Sequence, residues 1–147
     1  MYKKIMIATD GSELGDKAVD TGIQLASSLN ARVVITRVVP RYPTAYFEGA
    51  VVLQPQDIAR IESQWHDEAE KSLARACERA ASHALKVSSV LYKSDFVAES
   101  LIATAKKSRC DLIVMASHGH KALKRLLLGS ETLNVLTHSH IPVLVLR

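Results

Sequence analysis

Asp111-Leu-Ile-Val-Met-Ala-Ser-His-Gly119, then nine residues, then Gly129-Ser130, is the stretch that decides the fold. Leu112 to Met115 is an unbroken apolar run, the pattern of a strand buried on both faces. Gly119 and Gly129 punctuate the segment after this run, and from Ser130 to about His138 the pattern is helical. A strand feeding a glycine loop feeding a helix N-terminus is how α/β proteins hold phosphate, because the first helical N–H groups are unpaired and the helix dipole favours an anion. The stretch therefore predicts a parallel sheet and a nucleotide site together.

Outward from it, strand and helix patterns alternate. Residues 3–9 form a short apolar run, and 12–29 carry Leu14, Ala18, Val19, Ile23, Leu25, Ala26 and Leu29 at helical spacing. Ser12 is placed as an N-cap and Asn30 as a helix stop. Arg32 to Val39 is a second, valine-rich strand. Pro40 to Gln54, with two prolines and a glycine, reads as a long loop that is either functional or mobile. Pro55 opens a helix to about Ala84 whose apolar stripe, Ile58, Ile61, Trp65, Ala69, Leu73, Ala76 and Ala80, predicts a core face. Val87–Tyr92 is a third strand and Val97–Lys107 a third helix. Val143–Leu146 closes the chain as a fifth strand. Strands alternating with helices predict parallel βαβ units with helices on both faces of one sheet.

At 147 residues the chain predicts one domain, residues 1–147, with enough length for a core. No apolar run approaches the ~20 residues that span a bilayer. The short run after Met1-Tyr2-Lys3-Lys4 lacks the marks of a signal peptide. The expectation is a cytoplasmic protein with no membrane partner. Cys77 and Cys110 fit no metal or redox spacing and read as reduced. The net charge of +4 comes from scattered basic residues without interleaved aromatics, which argues against nucleic acid.

If the strand order is 3-2-1-4-5, it reverses between the first and fourth strands, and ligands sit beyond the strand ends at such a reversal. Thr9-Asp10-Gly11-Ser12 and Ala116-Ser117-His118-Gly119 would then flank one crevice. Asp10 suits a ribose or base, Gly119 a closely approaching phosphate, and Gly129-Ser130 the phosphate-holding helix start. Asp-Gly-Ser is also an ordinary turn and cap, the favoured account of that triplet alone. The P-loop and the Gly-x-Gly-x-x-Gly fingerprint are both absent. In the assumed order the last strand is an apolar sheet edge, and such an edge needs a partner.

Lys4-Ile-Met-Ile-Ala-Thr-Asp-Gly-Ser12, Asp111 to Gly119, Leu126-Leu-Leu-Gly-Ser130 and Pro142-Val-Leu-Val-Leu146 together resemble the universal stress protein family over essentially the whole length. The resemblance implies a Rossmann-like fold, a homodimer through the C-terminal edge strand, and adenine-nucleotide binding: ATP, or ADP or AMP, with or without Mg2+. It places Ala8, Thr9 and Asp10 around adenine and ribose, and Val38 as an apolar wall beside adenine. Met115, Ala116, His118 and Gly119 fall around ribose and phosphates. Gly129, Ser130, Glu131 and Thr132 fall where the phosphate tail is held. Two features qualify the match. Ala116 replaces the motif's first glycine, and its methyl crowds a ligand if that backbone has positive φ. Glu131 repels a terminal phosphate if its carboxylate turns inward.

Other constellations carry less. His118-x-His120 and His138-x-His140 lack a completing ligand set and read as surface or hydrogen-bonding histidines. Leu123, Leu126, Leu127 and Leu128 read as a short helical segment over the sheet, and Lys121, Lys124 and Arg125 as a solvated face. No nucleophile stands with a base at readable spacing, and no carboxylate pair suggests acid–base work. The expectation is a stress-response binding module that reports nucleotide state to a regulatory protein partner, not an enzyme. The rival readings are a slow ATP hydrolase and a nucleotide-free interaction module on the same fold.

Overall fold

The computed structural model describes residues 1–43, 53–119 and 128–147. The centre of the Pro40–Gln54 loop, His120, and the segment bearing Lys121, Lys124, Arg125, Leu123, Leu126 and Leu127 lie outside the described residues. The elements are β1 (Lys4–Ala8), α1 (Glu13–Leu29), β2 (Arg32–Val39), α2 (Pro55–Ser82), β3 (Val87–Lys93), α3 (Val97–Lys107), β4 (Leu112–Ala116), α4 (Ser130–His138) and β5 (Val143–Leu146). They make one five-stranded sheet in the order β3-β2-β1-β4-β5. Every described pairing is parallel, with Lys4 opposite Arg32, Ile5 opposite Leu112, and Ala116 opposite Leu146.

The period of two along the strands splits the core into two layers. Ile5, Ile7, Val33, Ile35, Leu112 and Val114 face α1 and α2, meeting Val19, Ile23, Leu73 and Ala76. Met6, Ala8, Val34, Ile113 and Met115 face α3 and α4, meeting Ala98, Leu101, Ala105 and Val135. Strands buried on both sides explain why β1 and β4 read as continuous apolar runs. Gly22 lets α1 close on β1, since a Cβ there would stand 2.5 Å from Ile7 Cδ1. α1 begins at Ser12, whose hydroxyl accepts the Gly15 N–H at 3.0 Å, and ends at Asn30 in the left-handed conformation. Asp111, just before β4, accepts the Lys3 and Lys4 N–H groups at 2.8 and 3.0 Å and pins the start of β1 to it.

One expectation changes. The α2 stripe is core only in its second half: Ala69, Leu73, Ala76 and Ala80 are buried, while Ile58, Ile61 and Trp65 are half-buried. The helix is 28 residues long and its first turns extend past the strands. Trp65 covers itself there by stacking on Tyr42, with ring centroids 6.0 Å apart. β5 is apolar but not buried like β4, because as a sheet edge it has one strand neighbour, and Leu144 is 39% exposed.

Candidate functional site

The strand order reverses between β1 and β4, since β1 connects through α1 to β2 on one side and pairs with β4 on the other. Beyond the C-terminal ends of these strands, on the α3 and α4 side, lies a crevice of about 550 Å³. Ala8, Thr9 and Asp10 line it from the end of β1, and Val38 from β2. Met115, Ala116, His118 and Gly119 line it from β4 and the loop after it. Gly129, Ser130, Glu131 and Thr132 close it from the start of α4. The fold thus brings every sequence-nominated residue to one wall or another of a single space.

The first wall is a built turn. Thr9 Oγ1 accepts the Gly11 N–H at 3.1 Å and Asp10 Oδ1 the Ser12 N–H at 2.9 Å. The turn-and-cap account of this triplet is correct, and the same turn holds Asp10 on the crevice. Gly11 has φ +78°, and a Cβ on it would press on the Arg37 guanidinium, so only glycine fits comfortably. Gly119 is small for another reason: a Cβ there would overlap Asp10 Oδ2. The β1 and β4 loops are therefore in direct apposition across the reversal.

Three bonds fix the end of β4 and the opposite wall. Ser117 N–H reaches Leu146 O at 2.6 Å, and Gly129 N–H reaches Ser117 O at 2.7 Å. The Thr132 hydroxyl donates to Ala116 O at 2.9 Å. Gly129 is the N-cap of α4 and supplies no side-chain cap, so the amides of the first turn face the crevice mouth without one. A glycine-approached helix start of this kind suits an anion such as a phosphate tail. His118 Nδ1 lies 3.0 Å from the Ser117 hydroxyl, so that ring is anchored within its own loop.

The two qualifying features resolve simply. Ala116 ends β4 as a strand residue, and the non-glycine residues with positive φ among those described are Asn30, Ala84 and Arg109. Its methyl therefore strains no backbone. Glu131 is occupied elsewhere: Oε2 accepts the Ala98 N–H at 3.0 Å in the first turn of α3. Phe96, the N-cap of α3, offers no acceptor, and Glu131 supplies the cap from a different helix.

Sequence reading missed Gly15, Pro40, Asp95, Val97 and Leu101, which complete the lining. Gly15 was legible only as a helix residue, but a Cβ on it would stand 2.8 Å from Asp10 Oδ1 and 2.9 Å from Thr9 Oγ1. Val97 and Leu101 belong to the inward face of α3, and their spacing already pointed them at the sheet. On the other face, between α1 and α2, a charged depression is closed by its own ion pairs. Arg79 reaches Asp16 at 3.3 Å and Asp20 at 3.5 Å, and Arg37 reaches Glu68 at 2.9 Å.

Fold and crevice together define a doubly wound α/β domain with a ligand-sized space at its topological switch point. The universal stress protein family matches residues 1–147, and the chain belongs to that family. It is 31% identical over its full length, and the full length of the relative, to universal stress protein YxiE of Bacillus subtilis. The fold is shared with the solved universal stress protein UspA from Lactobacillus plantarum, at 20% identity and TM-score 0.83, covering 99% of this chain and 98% of that one. It is also shared with a universal stress protein from Archaeoglobus fulgidus solved in complex with dAMP, at 17% identity and TM-score 0.67, with 99% and 98% covered. No helix among the described residues is long and apolar enough to cross a membrane.

Proposed function

We propose that this chain is an adenine-nucleotide-binding regulatory protein of the stress response, holding ATP, or ADP or AMP, in the crevice between β1 and β4. The observation that carries the reading is the convergence of Asp10, Gly119 and the uncapped start of α4 on one space with an apolar far end. Its volume of about 550 Å³ is in the range that takes a nucleotide. Phosphates rest on the first turn of α4, ribose on Asp10 beside Met115, and the base against Val38. The dAMP complex of a fold relative supports the same class of ligand. Mg2+, where present, travels with the phosphates. The chain acts by binding and not by turnover.

The active form is a cytoplasmic homodimer paired through β5, whose outer edge carries half-exposed apolar side chains. A regulatory protein partner reads the nucleotide state of this dimer. Freshly purified protein, denatured and analysed by mass spectrometry, releases adenine nucleotide, and stripped protein gives binding heat with ATP, ADP or AMP. No released nucleotide and no heat would defeat the reading. Phosphate release above a heat-killed control, abolished by Asp10→Ala, would make the chain an enzyme instead. A monomer by light scattering would defeat the dimer.

A further inference from the structure

Ser117 is held at both ends of its backbone. Its N–H reaches Leu146 O at 2.6 Å, and its carbonyl accepts the Gly129 N–H at 2.7 Å. The residue is 4% exposed, and its hydroxyl lies 3.0 Å from His118 Nδ1. His118 in turn stands against the start of α4: a Cβ built on Gly129 would lie 3.3 Å from His118 Cα and 3.7 Å from its Cβ.

Which atom donates follows from counting protons. A serine hydroxyl has one, and a neutral imidazole carries one N–H. If Nδ1 held the ring proton, Ser117 Oγ would accept it, and the hydroxyl proton would be buried without an acceptor among the described residues. With Ser117 donating to Nδ1, the hydroxyl proton is used in that bond and the ring proton sits on Nε2. Nδ1 is turned to a buried atom, so Nε2 is the nitrogen that the half-buried ring offers to the crevice it lines.

The electrostatics of the crevice call for such a donor. The charged side chains among its described lining residues are the carboxylates Asp10, Asp95 and Glu131, and no lysine or arginine is among them. Phosphate here is held by N–H and O–H dipoles. We infer that Ser117 is a positioning residue for the phosphate end of the crevice: its buried hydroxyl fixes the tautomer and the angle of His118, so that Nε2–H donates to a phosphate oxygen of the nucleotide. This rests on the placing of phosphates at the first turn of α4.

The test joins ring-nitrogen NMR to calorimetry, at about pH 8, where an ordinary imidazole is neutral. The ligand-free protein should show His118 as the Nε2–H tautomer with Nδ1 displaced as a hydrogen-bond acceptor. Ser117→Ala should lose that displacement, and Ser117→Thr, which keeps the hydroxyl, should restore it. ATP should shift the Nε2–H signal of the unaltered protein, and adenosine, which has no phosphate, should not. Ser117→Ala should lose about fivefold in ATP affinity and His118→Ala about tenfold, each with adenosine affinity unchanged. An Nδ1–H tautomer in the unaltered protein would overturn the inference. So would ATP affinity untouched by Ser117→Ala, or equal loss of ATP and adenosine. An unaltered protein that binds neither ligand defeats the crevice reading itself, and the donor role with it, whichever tautomer the spectrum shows.

Discussion

Gly119→Ala tests the apposition of the β1 and β4 loops. The new methyl carbon would overlap Asp10 Oδ2 and lie 3.2 Å from its Cγ. Carbon contacts settle near 3.5–4.0 Å, so the carboxylate must withdraw by on the order of 1 Å. Asp10 Oδ1 is bonded at 2.9 Å to the Ser12 N–H, and a movement of that size breaks the bond. Losing a hydrogen bond to a charged acceptor in a half-buried turn should destabilise the fold by about 1–2 kcal/mol. For a chain of this size that lowers Tm by about 3–6 °C. No gain or loss from left-handed backbone enters, because among the described glycines only Gly11 has positive φ. The assay is a double-mutant cycle in urea, pairing Gly119→Ala with Asp10→Ala. In the Asp10→Ala background the methyl meets no carboxylate, and Gly119→Ala should be neutral or stabilising by about 0.4–1 kcal/mol. An equal penalty in both backgrounds would refute the reasoning, since the cost would then arise somewhere other than the loop-to-loop contact. ATP affinity should fall with Gly119→Ala, because Asp10 is displaced from the ribose position.

Glu131→Ala should destabilise by about 1 kcal/mol through loss of the α3 cap, while Glu131→Gln, which keeps an acceptor oxygen, should restore most of it. The two variants should bind ATP about as tightly as the parent, since the carboxylate already points to α3, and a urea midpoint unchanged by Glu131→Ala would contradict the capping role. Gly22→Ala gains about 1 kcal/mol of helix propensity but drives a methyl into Ile7, so thermal melts should show net destabilisation of up to about 2 kcal/mol. A net gain in stability would mean the α1–β1 contact is slack. Burial pushes the Cys110 thiol from its ordinary 9.0 up to about 11. The folded state therefore holds a proton that the unfolded chain releases, and this contribution to stability is complete below pH 9 and declines as pH rises toward 11. Thiol labelling at about pH 8 should accordingly report unfolding at Cys110, and rapid native-state labelling there would refute its burial.

Most of the architecture was legible because each element obeys one rule at a time. Asn30 stops α1 and Pro55 starts α2 by local backbone preference alone, and β4 betrays its burial through Leu112 to Met115. The crevice was legible because the switch-point rule joins Asp10 to Gly119 once strand order is assumed. What escaped were relations between elements that leave no mark on either partner. Nothing beside Ala98 in sequence says that Glu131, from a different helix, will cap it. Nothing in Ser94-Asp95-Phe96 says that Asp95 will hold Arg41 across the sheet edge. Trp65 reads as core from its spacing because periodicity records which face of a helix is apolar, and not how far the helix runs past its sheet.

The place of β1 in the middle of the sheet has a consequence for synthesis. It leaves the ribosome before both of the strands that flank it, and β2 covers one of its edges soon after. Its other edge waits for Leu112 to Val114, roughly 80 residues later, which at about 5–20 residues per second is on the order of 4–16 s. Through that interval Ile5, Met6 and Ile7, all fully buried in the finished molecule, sit beside an open row of backbone groups on a nascent chain. The strand that anchors the finished fold is thus the segment most exposed to wrong pairing while the chain is being made.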